Sequence, residues 1–178
     1  MGDGWRATQE SPLQCLAVPR LTSRLLDFST HPMKLYTIGF TQKSAERFFG
    51  LLAEHGVEQV VDIRLKPGGQ LSRFAKQNDL AWFLERLNGA VYVHLPQLAP
   101  SDEIRDDYRQ DHDWERYVPR FEALMDDRGI PDVLDRTLFV EHVSCLLCSE
   151  PTPERCHRRL VAERLARVWP DVEIVHLT

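Results

Sequence analysis

Apolar residues in this chain follow two alternating patterns, short continuous runs and stripes spaced three and four apart, and the alternation begins only at Lys34. Lys34–Ile38 is β-branched and aromatic and stops at Gly39, the pattern of a strand that ends in a turn. Ser44 then stands as N-cap to a helix over 45–55, with Phe48, Phe49, Leu51 and Leu52 on one stripe and Gly56 after it. Residues 57–64 return to the strand pattern. Val60, Val61 and Ile63 make the continuous apolar run of a strand covered on both faces, and Asp62 and Arg64 put charge near its carboxyl end. Pro67, Gly68 and Gly69 forbid further pairing, so 66–74 is a loop. A helix over 79–87, with Leu80, Phe83, Leu84 and Leu87 on one face, leads to a third strand at 90–95.

Beyond Pro96 the pattern lapses. Residues 97–113 are acidic and without apolar period, which predicts a long excursion, its charges Asp102 to Glu115 and Arg105, Arg109 and Arg116 solvated. Trp114, Val118, Phe121, Leu124 and Met125 restore helical spacing over 114–125, with Pro119 calling for a kink or a later start. A short helix within 132–142, a strand at 143–148, a helix at 153–168 and a closing strand at 172–177 complete the chain. Thr152 followed by Pro153 supplies the N-cap and first helical position of the last helix. Strands alternating with helices predict a single α/β domain, a mainly parallel sheet of about five strands with right-handed crossovers and helices on both faces. Residues 1–32 carry Pro12, Pro19 and Pro32 and no sustained period beyond a possible short helix at 21–28. They read as a poorly ordered leader, with the domain, 33–178, beginning at Met33.

Composition adds limits. The 178 residues, 43% of them hydrophobic, are enough for one domain with a substantial core. A net charge of −5 argues against bulk attraction to nucleic acid or an anionic membrane, and leaves only a local basic patch for such a role. No apolar run approaches the roughly 18 residues of a membrane helix, and the N-terminus lacks the core of a signal peptide, so the expected location is cytoplasmic. Three of the four cysteines gather near one turn, as in a reduced intracellular site.

That turn, within Cys145–Arg159, concentrates the chemistry. Cys148 falls at the end of the fourth strand, and ligand crevices of open α/β sheets lie beyond strand carboxyl ends. Cys156, placed in the first helical turn, would feel the positive end of the helix, and Arg155, Arg158 and Arg159 would favour its thiolate if they turn inward. The candidate catalytic groups are therefore Cys148, Glu150, Cys156 and His157: a thiolate nucleophile, with His157 or Glu150 to take and return a proton. The candidate ligand-binding groups are Arg64, Ser72, Arg73 and Arg158, suited to the oxygens of a phosphate or carboxylate.

Each group also has a plainer role. Both cysteines can be small core residues, Arg64 can pair with Asp62, and His94 fits a hydrogen-bonded structural position. The spacing of Cys148 and Cys156 departs from C-x2-C, and two thiols with His157 leave a tetrahedral metal one ligand short unless Cys145, Glu150, His142 or His94 joins. On a regular helix Cys156 and His157 point about 100° apart, so they are expected not to share one ligand shell, and no metal is assigned. A Cys148–Cys156 disulfide across the turn is a further option.

Four ordered motifs carry a resemblance: Tyr36-Thr-Ile-Gly39; Asp62-Ile-Arg64 with Pro67 and Ser72-Arg73-Phe74; Tyr92 to Pro96; and Leu147-Cys-Ser-Glu150 followed by Cys156-His-Arg158. Over about residues 34–178 the chain resembles the family named domain of unknown function four-eighty-eight. It departs from the usual pattern at Phe40-Thr41 and at Ala99-Pro100. The resemblance implies an α/β fold with a cysteine-containing site and names no reaction and no cofactor. The expected function is an enzyme that holds a small anionic or nucleotide-like ligand at the strand ends. The alternative is a non-catalytic binding or regulatory module with a structural metal or a redox cysteine pair.

Overall fold

The computed structural model describes residues 32–178, apart from the side chains of 70–72; the leader, its Cys15 and the possible helix at 21–28 lie outside the described residues. Five strands form one sheet: β1 (Met33–Gly39), β2 (Gln59–Asp62), β3 (Val91–His94), β4 (Ser144–Cys148) and β5 (Val172–Leu177). The order is β3-β2-β4-β1-β5, and every neighbouring pair is parallel. Six α-helices connect and cover it: α1 (Ala45–Glu54), α2 (Gln77–Phe83, widening into a π-type turn at Leu84–Asn88), α3 (Asp102–Asp111), α4 (Trp114–Asp127), α5 (Thr137–Val140) and α6 (His157–Val168). The fold is thus α/β with helices on both faces. No helix among the described residues is long and apolar enough to cross a membrane.

The period of two along each strand divides the core. Tyr36, Ile38, Val60, Cys145 and Leu147 point to a layer filled from α1 and α2 by Phe48, Phe49, Leu52, Leu80 and Leu84. Leu35, Val61 and Leu146 point the other way, to Phe121, Met125, Phe139, Val161 and Leu165 of α4, α5 and α6. The chain moves outward from β1 to β2 and β3 over one face, then returns to β4 and β5 over the other. Connections leaving β1 and β4, which lie side by side, therefore diverge to opposite faces, and a crevice opens at their carboxyl ends. Cys148 is the last residue of β4 and sits at that crevice.

Two expectations need correction. Residues 97–113 are not an unstructured excursion, because Ser101 caps α3 by accepting a hydrogen bond from the Ile104 N–H, and Ile104 packs into the core. The surrounding charges are paired. Arg120 of α4 reaches Glu103 and Asp107, and Arg116 reaches Asp107 and Asp111. A helix that is polar on most of its circumference is held by such pairs. The last helix also starts later than Thr152–Pro153 predicts, with Cys156 as its N-cap. The Glu150 and Pro151 carbonyls accept hydrogen bonds from the Arg158 guanidinium, and the Cys156 N–H donates to Pro153 O, so 150–155 closes as a turn. Helix α4, by contrast, starts at Trp114 and runs through the exposed Pro119.

Candidate functional site

The turn after β4 is held on two sides. Thr41 N–H donates to Ser149 O at 3.1 Å from the β1 side, and Arg158, fully buried, donates from Nη1 to Glu150 O at 2.6 Å. Gly39 makes this closure possible, since a Cβ there would lie 1.7 Å from Glu150 O and 3.0 Å from Arg158 Nη1. Arg158 is therefore a clamp behind the turn rather than a group that faces ligand, and it is not among the residues that line the neighbouring cleft.

Cys148, Cys156 and His157 come together in front of this turn, their ligand atoms all within 4.8 Å of one another. The expectation that Cys156 and His157 diverge fails because Cys156 lies outside the helix, in extended backbone at φ −135° and ψ 137°. The 100° rotation per residue applies only to helical neighbours. His157 Nε2 is 3.0 Å from the carbonyl oxygen of Ile63, which has no proton to give, so Nε2 carries the hydrogen. Nδ1 is left as a lone pair 3.4 Å from Cys148 Sγ.

The two thiols differ. Burial works against the Cys148 thiolate, but the Cys156 hydrogen bond, the Glu150 and Ser149 backbone N–H groups and the Arg158 charge outweigh it and bring the thiol below its ordinary value. Burial, then the neighbouring Cys148, holds Cys156 well above the usual thiol range. Cys145 is also pushed up by burial and points to the opposite core layer.

All three groups open onto a cleft of about 510 Å³. Its walls are cationic and aromatic. Arg64, Lys66, Arg105, Arg109 and Arg155 supply positive charge, and Tyr108, Trp114 and Tyr117 supply rings, with Trp114 and Tyr117 stacked at 4.9 Å. Glu150 is the carboxylate at the cleft wall among the described residues. Burial, followed by Cys148 and Cys156, keeps the Tyr117 phenol protonated far above its ordinary range.

Of the residues predicted from sequence, Cys148, Glu150, Cys156, His157 and Arg64 thus share one cleft. Arg64 also has the plainer role: its Nε and Nη2 grip Asp62 at 2.8 and 2.6 Å, while the buried Nη1 has no partner. Arg73 is exposed, away from the cleft, with φ 43°, and the Ser72 side chain is outside the described residues. His94 is structural, bonded to Arg64 O at 2.8 Å.

The sequence reading missed α3 and α4 as a cleft wall. The signal was present in Arg105, Tyr108 and Arg109, three and four apart around one helical face, with Trp114 and Tyr117 three apart in the next helix.

A model of the family described as Domain of unknown function DUF488 matches residues 44–165. The chain belongs to this family. No curated protein and no solved structure matches the chain. The matched segment of this DUF488 domain contains three of the four motifs, including the Cys148 turn with Cys156 and His157, and begins after Tyr36–Gly39.

Proposed function

We propose that the domain is an enzyme that holds a small anionic, nucleotide-like ligand in the cleft and attacks it with the Cys148 sulfur. The observation that carries this reading is the Ile63 O to His157 to Cys148 relay at the wall of a cationic, aromatic cleft. A base oriented by a third group beside a thiol is the arrangement that activates a nucleophile. His157 Nδ1 takes the Cys148 proton, the thiolate attacks the electrophilic centre, and the imidazolium returns the proton to the leaving group. Arg64 and Arg155 meet the anion, and Tyr108 and Trp114 offer surfaces for a planar group.

The test is alkylation of the full chain by iodoacetamide, read by peptide mass spectrometry. Cys148 should label ahead of Cys145, His157→Gln should slow it by roughly tenfold, the effect of one pKa unit on the thiolate fraction, and a nucleoside monophosphate should protect it. Labelling of Cys148 no faster than Cys145, or indifference to His157, would refute the thiolate role. Absence of protection across a panel of nucleotides and phosphorylated metabolites would refute the ligand class.

A further inference from the structure

Neighbouring Cys156 and His157 are poorly placed to share a ligand on a regular helix, and the N-cap conformation of Cys156 removes that obstacle. We propose that Cys148, Cys156 and His157 form a binding site for one thiophilic divalent cation of the Zn²⁺ class, with its fourth position open to the cleft.

The donor set selects the class. Two thiolates and an imidazole suit Zn²⁺, whereas Mg²⁺ and Ca²⁺ require oxygen ligands. The spacing fits. Bonds of about 2.3 Å to sulfur and about 2.0 Å to nitrogen at a tetrahedral angle put the two ligand atoms about 3.5 Å apart, and Cys148 Sγ lies 3.4 Å from His157 Nδ1. The outer partner is also in place, since the Ile63 carbonyl holds Nε2–H and so presents Nδ1 as the ligating lone pair.

None of the residues considered as a fourth ligand joins the group. His94 is occupied by Arg64 O, Cys145 faces the other core layer, His142 precedes the amino end of β4, and Glu150 lies at the wall without entering the 4.8 Å cluster. Three protein ligands that all line a cleft leave the remaining position to water or to an oxygen of the bound anion. Binding releases the two thiol protons to solvent, and two thiolates then balance the cation; nothing is oxidised or reduced.

The inference rests on the cleft of the proposed function and adds its regulation: the Cys148 attack belongs to the metal-free protein, and a bound cation switches it off. A bound cation uses the Cys148 and His157 lone pairs, so the loaded protein is silent in thiol alkylation and metal occupancy governs that chemistry.

The experiment uses the full chain without a histidine tag, stripped by chelator and titrated with Co²⁺, which is then displaced by Zn²⁺. One equivalent of Co²⁺ should raise a thiolate-to-metal charge-transfer band. Cys156→Ser and His157→Gln should each weaken binding by more than the roughly 10–100-fold that loss of an outer partner costs. One equivalent of Zn²⁺ should block alkylation of Cys148.

No charge-transfer band in the parent protein, or unchanged affinity in Cys156→Ser, overturns the site. The parent spectrum decides this even if a variant misfolds. Fast alkylation of the stripped protein without a cobalt band sinks the metal site and leaves the thiolate reading standing, and a cobalt band with inert Cys148 does the reverse.

Discussion

Asp62 offers the sharpest test of how the cleft floor is held. Its carboxylate is fully buried at the end of β2, where it accepts from the Arg64 backbone N–H at 3.0 Å, from Arg64 Nε at 2.8 Å and Nη2 at 2.6 Å, and from Tyr92 Oη at 2.7 Å. Asp62→Asn keeps the shape, removes the charge and sets an amide N–H₂ against a guanidinium that is itself only 6% exposed. Breaking one side of a buried pair costs about 3–5 kcal/mol, because the remaining charge stays buried without compensation. Native stabilities run to about 5–15 kcal/mol, so the loss is a large share.

For a chain of this size, each kcal/mol is worth about 2–4 °C, which puts the expected fall in Tm at roughly 6–20 °C by calorimetry or circular dichroism. Two companions locate the cause. Tyr92→Phe, which leaves the Arg64 pair intact, should cost less, about 1.5–3 kcal/mol for a hydrogen bond to a charged group. Asp62→Asn combined with Arg64→Met should recover much of the loss, since replacing both charges of a buried pair is often near neutral. A single Asp62→Asn variant within about 1 kcal/mol of the parent, below the range for a buried pair, would refute the burial argument. A double variant as unstable as the sum of the singles would show that the two charges do not act as a pair.

Two further outcomes follow from the same framework. Gly39→Ala should cost at least the 1–3 kcal/mol typical of overpacking and should slow Cys148 alkylation, because the added methyl meets backbone at Glu150 and the turn must shift; unchanged melting and labelling would mean that the strand and turn are not in contact. Truncation to Met33 should leave Tm nearly unchanged, because residues 1–32 lack any sustained apolar period; a drop of several degrees would show that the leader contributes to the core.

What the sequence makes legible is what local physics decides. The strands are readable because Val60-Val61 and Leu146-Leu147 are continuous apolar runs that only a sheet covered on both faces hides. Helix α1 is readable because cap, stripe and stop agree. Strand order has no local signal, since it depends on which face each crossover packs against. Helix α3 is hard to read because Ile104 is its one buried residue, so the polar remainder, paired with α4, shows no apolar period. The start of α6 is misread for a related reason. Thr152-Pro153 is a sound local start signal, but Arg158 takes the Glu150 and Pro151 carbonyls, a tertiary contact that outweighs it. The convergence of Cys148, Cys156 and His157 depends on that same displacement.

The cleft also shows why a net charge of −5 says little about what the domain can bind. Its cations fall into three groups. Lys66, Arg105 and Arg109 lean on Asp102 and Asp106 of α3, in pairs that are exposed on at least one side, and solvent screens such pairs so that they hold weakly. The phosphate of the proposed ligand would take those cations over at little cost. Arg64 is different: its orientation is fixed by the buried Asp62, and its unpartnered Nη1 is itself buried. Arg155, at the cleft wall, has no carboxylate partner among the described residues. The acidic residues thus lower the total charge while holding or releasing the basic ones around the cleft, and the field that an anion meets there is set by this local arrangement rather than by the sum over the chain.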